Sequence, residues 1–102
     1  FLNISIITYY EVLNGLYYKD AKKQLNIFMQ FTSFNKIIPL TKTSATIAAN
    51  ITADLKKTGK FIGHNDVLIA SIAIENDLVL ITNNSNHFSR IKNLEIDNWA
   101  IA

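Results

Sequence analysis

The chain has 102 residues, ten Lys and Arg against eight Asp and Glu, a formal net charge of +2, and 49% hydrophobic residues. That length suits one domain spanning residues 1–102, with a core that needs no staples. The absence of cysteine excludes disulfides and thiolate metal sites, in keeping with a reducing, cytoplasmic setting.

The mild charge permits nucleic-acid binding without pointing to it. No apolar run approaches the roughly 20 residues of a membrane span, so no membrane role is expected. The opening FLNISIITYY is apolar but lacks a basic leader and a small-residue cleavage site, so it does not read as a signal peptide. Because the chain begins at Phe1 inside an apolar element, it reads as a fragment.

In chain order, residues 4–7 (ISII) are β-branched and apolar and predict a strand. Thr8 then precedes the helical stretch TYYEVLNGLYY, and Glu11 three positions on gives capping-box spacing. Asp20 is expected to open a second helix, in which Ala21, Leu25, Phe28 and Phe31 recur at helical intervals until Ser33–Lys36. Residues 37–40 (IIPL) predict a short strand that Pro39 demotes toward a sheet edge or strand end. A third helix is expected from Thr43 to about Thr58, with Ile47, Ile51 and Leu55 on one stripe, Lys56 and Lys57 at its negative end and Gly59 in a left-handed cap. Residues 66–75 (DVLIASIAIE) are apolar nearly all round and predict a buried helix starting at Asn65 or Asp66. Asn76–Asp77 turn the chain into residues 78–82 (LVLIT), a run suited to a strand buried on both faces. The polar loop NNSNHF follows, then a last strand near 94–97 ending at Trp99. Helices alternating with short apolar strands give an α/β fold with a mostly parallel sheet, whose sites lie beyond the carboxyl ends of its strands. Three or four short strands are found, with no long central one.

Two acids stand inside strongly apolar sequence, Glu11 and Asp66. Helix capping explains each singly: Asp66 near a helix N-terminus complements its dipole, and Glu11 completes a capping box with Thr8. A hard oxygen ligand for Mg²⁺ or Mn²⁺ explains them jointly, since helix N-termini gather at the site edge of such a sheet. His64 and His87 are far apart in sequence with no third nitrogen or sulfur ligand in view, so a zinc site is not expected. No GxGxxG, Walker-type loop or GxSxG elbow occurs.

The strings ISIITYYEVLNGL, GHNDVLIAS and VLITNNSNHFSRI, in this order, resemble the PIN-domain ribonucleases, specifically the VapC toxins of type II toxin–antitoxin pairs. The resemblance covers the whole chain, and three motifs in order and spacing make it specific. It maps the family's second acid onto Glu11, its third-acid motif G-x-N-D-x-x-I-A-A onto Asp66, and its fourth motif T-N-[D/N]-x-x-x-F onto Thr82, Asn83 and Asn84. It implies a PIN-like three-layer α/β/α fold and a Mg²⁺- or Mn²⁺-dependent endoribonuclease hydrolysing RNA phosphodiesters. The implied metal ligands are Asp66 and Glu11, with Thr82 and Asn84 positioning waters or phosphate, and the implied partners are RNA, a cognate antitoxin and a second copy of the chain. Lys42, His64, Arg90 and Lys92 are candidate RNA phosphate contacts. This sequence departs from the family pattern in two ways. Asn84 stands where the wider family often has Asp, and the family's opening strand with its D-T-N motif, central in the sheet, does not occur in the chain. From the second departure, the fragment alone is expected to fold poorly and cleave weakly. The rival expectation is a non-catalytic remnant that binds antitoxin, RNA or itself.

Overall fold

A computed structural model describes residues 2–82 and 84–97. Asn83 of the fourth motif and Trp99 after the last strand lie outside the described residues. The chain divides into two compact units, residues 1–39 and 40–102. The described elements run β1 (Asn3–Ser5), α1 (Ile6–Tyr18), α2 (Lys22–Ser33), β2 (Lys36–Ile38), α3 (Lys42–Lys57), α4 (His64–Glu75), β3 (Leu80–Ile81), α5 (Ser85–Phe88) and β4 (Ile96–Asp97). Both strand pairs are parallel, as the α/β pattern requires.

The first unit is a β-strand pair closed by a helical hairpin. β1 pairs with β2 in the register Asn3 to Lys36, Ile4 to Ile37 and Ser5 to Ile38. The expected strand 4–7 stops at Ser5, because Ser5 rather than Thr8 caps α1. Its extended backbone (φ −69°, ψ 149°) lets its hydroxyl accept from the Thr8 N–H. Glu11 therefore sits in the second turn, and the expected capping box with Thr8 does not form. Asp20 is also reassigned: it adopts φ 51° and closes α1 instead of opening α2. The N–H of Asp20 donates to Tyr17 and that of Ala21 to Leu16, a Schellman closure with aspartate in the left-handed position. Pro39 follows β2 directly, in keeping with a strand end.

The second unit is built on the packing of α3 against α4. Thr41 caps α3 in a reciprocal box with Ser44. At its far end Gly59 takes φ 69°, with Gly59 N–H donating to Lys56 and Lys60 N–H to Leu55, the left-handed cap expected of that glycine. α4 follows its N-cap Gly63 (φ 108°), begins at His64, and buries Val67, Ala70, Ser71, Ile72 and Ala73, so the all-round apolar helix is a core helix as expected. It ends like α1, with Asp77 at φ 54°, its N–H donating to Ile74 and that of Leu78 to Ala73. Ala48, Leu55, Val67, Ala70, Phe88 and Ile91 form the buried core of this unit, with Leu80 and Ile96 packed against it.

The expectation of a strand buried on both faces is not met. β3 spans only Leu80–Ile81, and Val79 and Ile81 are 50% and 57% exposed. Side chains alternate along a strand, so Leu80 enters the core while its neighbours point to the other face. Among the described residues, β3 has β4 as its one hydrogen-bonded neighbour.

Candidate metal and RNA site

Asp66 is the third residue of α4. The N-cap before it is Gly63, which has no side chain to cap the helix, so the negative charge of Asp66 complements the positive helix end. Its side chain is about a third exposed, and its Oδ2 lies 3.9 Å from Nδ1 of His87. This contact joins the start of α4 to the segment that leaves β3.

That segment is held by its own side chains. Thr82, immediately after β3, accepts the backbone N–H of Asn84 on its Oγ1 at 2.9 Å, an i to i+2 side-chain turn. Thr82 N–H donates to Asp97 at 3.0 Å, continuing the β3–β4 pairing. Asn84 occupies the N-cap of α5 but does not cap it with its side chain. Instead its Nδ2 lies 2.9 Å from Nδ1 of His87, one helical turn on. α5 is too short to be stable alone; Phe88, 5% exposed in the core, anchors it. Within this unit the helix start carrying Asp66 and the segment after β3 approach each other.

Glu11 lies in the other unit, exposed, in the second turn of α1. Among the cationic candidates, Arg90 Nη1 donates to the Lys60 carbonyl at 3.3 Å. The exposed His64 opens α4 and meets the Phe61 ring edge-on at 4.9 Å, while Lys56 Nζ stands 5.1 Å over the same ring. Lys56, Lys60, His64 and Arg90 therefore share the end of this unit where α4 begins. Lys92 is exposed two residues beyond Arg90. Lys42 begins α3, beside the C-terminus of α4, as the contact of Thr41 with Glu75 shows. It stands about one α4 length, roughly 18 Å, from the Asp66 end. Sequence reasoning does not single out His87 as a site residue, although its i+3 spacing from Asn84 in a short helix carries the signal.

The profile of the PIN domain matches residues 2–94. Ribonuclease VapC2 of Rickettsia felis is 36% identical over 100 residues, 94% of this chain and 72% of that protein. A tRNA(fMet)-specific endonuclease VapC of Shigella flexneri is 28% identical, over 95% of this chain and 74% of its own length. Among solved structures, DNA-bound VapBC from Salmonella typhimurium aligns with a TM-score of 0.89 at 31% identity, over 95% of this chain and 74% of that one. VapBC2 from Rickettsia felis bound to a promoter DNA fragment aligns with a TM-score of 0.82 at 34% identity, with the same shares covered.

Proposed function

The chain belongs to the PIN-domain family, among relatives named as VapC ribonucleases, and on that premise we propose that it is a metal-dependent endoribonuclease, the toxin half of a toxin–antitoxin pair. The observation that carries the site assignment is the meeting of Asp66 with the Asn84–His87 segment beyond β3. A divalent ion, Mg²⁺ or Mn²⁺, would lower the pKa of a bound water and neutralise charge on the phosphate. The donor chemistry fits. Among the described residues no cluster of three or more His, Asp or Glu side chains forms. That is too few for an all-protein cage, but Mg²⁺ commonly keeps several waters and takes phosphate oxygens.

In this reading Asp66 is the ligand in the second unit, directly or through water, and Glu11 is the second carboxylate, holding metal waters or acting as base. With its amide nitrogen turned to His87, Asn84 has its carbonyl oxygen left to accept from a water. Thr82 Oγ1 accepts from the Asn84 N–H, so its own proton remains for a phosphate oxygen. His64, Arg90 and Lys92, joined by Lys60, lie where phosphates would pass Asp66, and Lys42 would touch RNA a helix length away. The protein partners are a cognate antitoxin and a second copy of the chain. Among the described residues no helix is long and apolar enough to cross a membrane, and we place the toxin in the cytoplasm, with its RNA.

The test is RNA cleavage with Mg²⁺ or Mn²⁺ by the natural chain, Asp66→Ala and Glu11→Gln. Each variant is expected to lose on the order of 10²-fold or more, the scale of removing one group that stabilises transition-state charge, and chelation should abolish cleavage. Equal activity in all three proteins would sink the metal-site reading. No cleavage by any of them, with antitoxin binding retained, would favour the non-catalytic binding role. Separately, Arg90→Ala with Lys60→Ala should weaken RNA binding measured in chelator and shrink its salt slope by about one for each phosphate no longer neutralised. An unchanged slope would remove these cations from the RNA path.

A further inference from the structure

Two side chains leave the start of α4 in opposite directions. Residues two apart on a helix stand about 200° apart around its axis and do not face each other. Asp66 turns toward His87 and the segment after β3. His64 turns the other way, to Phe61, whose ring it meets edge-on with centroids 4.9 Å apart. Phe61 is half-buried against the core of the unit, so the contact gives the exposed histidine a fixed footing. Such a contact occupies one edge or one face of each ring, and at least one face of His64 is left over. His64 also lines an open groove of about 440 Å³ between α3 and α4, where Ala45, Ala49, Ala53, Val67 and Leu68 supply apolar walls and Thr52 a hydroxyl. Cations stand at the same end: Lys56 lies over the Phe61 ring, and Arg90 reaches the carbonyl of Lys60 next to it.

We propose that His64 is a base-stacking residue: an unpaired base of the RNA strand enters the α3–α4 groove and stacks on its imidazole, while the neighbouring phosphate passes on the Asp66 side of the helix start. The inference rests on the reading above that Asp66 marks the site of phosphodiester hydrolysis. A strand drawn in by the cations has two unlike sides to place, a charged backbone and flat apolar bases, and this end of the unit offers a different surface to each. The Cα atoms of residues 64 and 66 are at most about 7 Å apart, so the stacked base and the phosphate at Asp66 belong to the same nucleotide or to adjacent ones. A ring already held by Phe61 loses little further freedom when a base covers it. The groove walls carry few hydrogen-bonding groups, so the stack reads the face of the base and not its edge. Phe61 acts through His64 and is a positioning residue.

The experiment measures binding of a short single-stranded oligoribonucleotide of mixed sequence to the whole chain, in chelator so that no cleavage intervenes. The same strand is then tested with each base in turn removed and its sugar kept. The natural chain is expected to lose about 5- to 150-fold in affinity at one abasic position, the range for one stacked base. His64→Ala should lose as much with the intact strand and be indifferent to that abasic position, with its salt slope unchanged because no phosphate contact is lost. His64→Phe, which keeps a ring face and no nitrogen, should restore both the affinity and the effect of that position. Phe61→Leu should shrink the effect of that position and leave the salt slope alone. If His64→Ala responds to every abasic position as the natural chain does, the inference is overturned. It is overturned equally if the salt slope of His64→Ala falls by about one and His64→Phe does not rescue it, since His64 then holds a phosphate. Loss of antitoxin binding in His64→Ala, with RNA binding intact, would make the groove a protein-docking surface and sink the stack. RNA binding that ignores His64 while Asp66→Ala abolishes cleavage removes the stack alone; a natural chain that neither binds nor cleaves RNA removes the underlying reading with it.

Discussion

Thr41 ties the two long helices of the second unit together with one hydroxyl. Its Oγ1 accepts the Ser44 N–H at 3.2 Å and lies 2.8 Å from both carboxylate oxygens of Glu75, to which it donates its proton. Glu75 is at the wrong end of its own helix for a negative charge, near the negative pole of α4, but beside the positive pole of α3. These dipole effects are each about 0.3–1 kcal/mol and oppose one another, so the charge-assisted hydrogen bond, about 1.5–3 kcal/mol, decides the sign. Thr41→Val is expected to lower stability by about 1–2 kcal/mol in denaturant titration, through loss of the cap and of the Glu75 bond. A change below about 0.3 kcal/mol would show that Glu75 is equally well hydrated without Thr41. Asp66 is legible from its setting in an apolar string, and the structure puts it at a helix start as that string implies. His87 is only half legible: its i+3 spacing from Asn84 is local, but its approach to Asp66, twenty-one positions earlier, is one that no local spacing encodes.

At the scale of elements, three helices end in the same Schellman closure, and the residue in the left-handed position is Asp20, Gly59 and Asp77 in turn. Aspartate tolerates that conformation better than most residues but still carries a Cβ, a cost glycine avoids. Asp77→Gly is therefore expected to raise the midpoint of thermal unfolding, by about 0.5–1 kcal/mol of stability, and Gly59→Ala to lower it by about 1 kcal/mol. Nothing crowds a Cβ at Gly59, so a larger loss there would point to a cause other than the backbone. The same closures explain which boundaries are legible. The glycine cap at 59 is readable because glycine has one dominant use there. Asp20 reads as the start of the following helix because aspartate serves both as an N-cap and as a left-handed turn residue. The strand end at Ser5 is hidden because β-branched residues such as Ile6 and Ile7 read as strand until Ser5, by accepting the Thr8 N–H, commits them to helix.

The molecule as a whole distributes its core unevenly. The hydrophobic core cluster lies wholly in residues 40–102. In the first unit, among the described residues, only Ile38 and Thr32 are buried, and α1 has no buried residue despite its apolar sequence. Tyr10, Tyr17, Tyr18, Ile27 and Phe34 are all more than half exposed. Two-stranded sheets are marginal by themselves, so local opening should be easiest there. Hydrogen exchange followed by mass spectrometry is expected to show amides of α1 and α2 exchanging at least about tenfold faster than those of α3 and α4. Equal protection in both units would mean that the first is stabilised by something other than buried area. The α/β class is legible because parallel strands and covering helices leave a periodic trace. The division into units is not, because periodicity reports which face of an element is apolar and not how much of it is finally covered.

The anchoring of α5 by Phe88 makes a residue with no chemistry a determinant of it. Four residues of helix hold Asn84 and His87 one turn apart only while a phenyl ring fills the space below them. In a genetic screen for loss of toxicity, truncations of that ring would therefore cluster with lesions at the proposed site residues themselves. A descendant that kept each polar residue but let position 88 drift would look intact on paper and be harmless to its host.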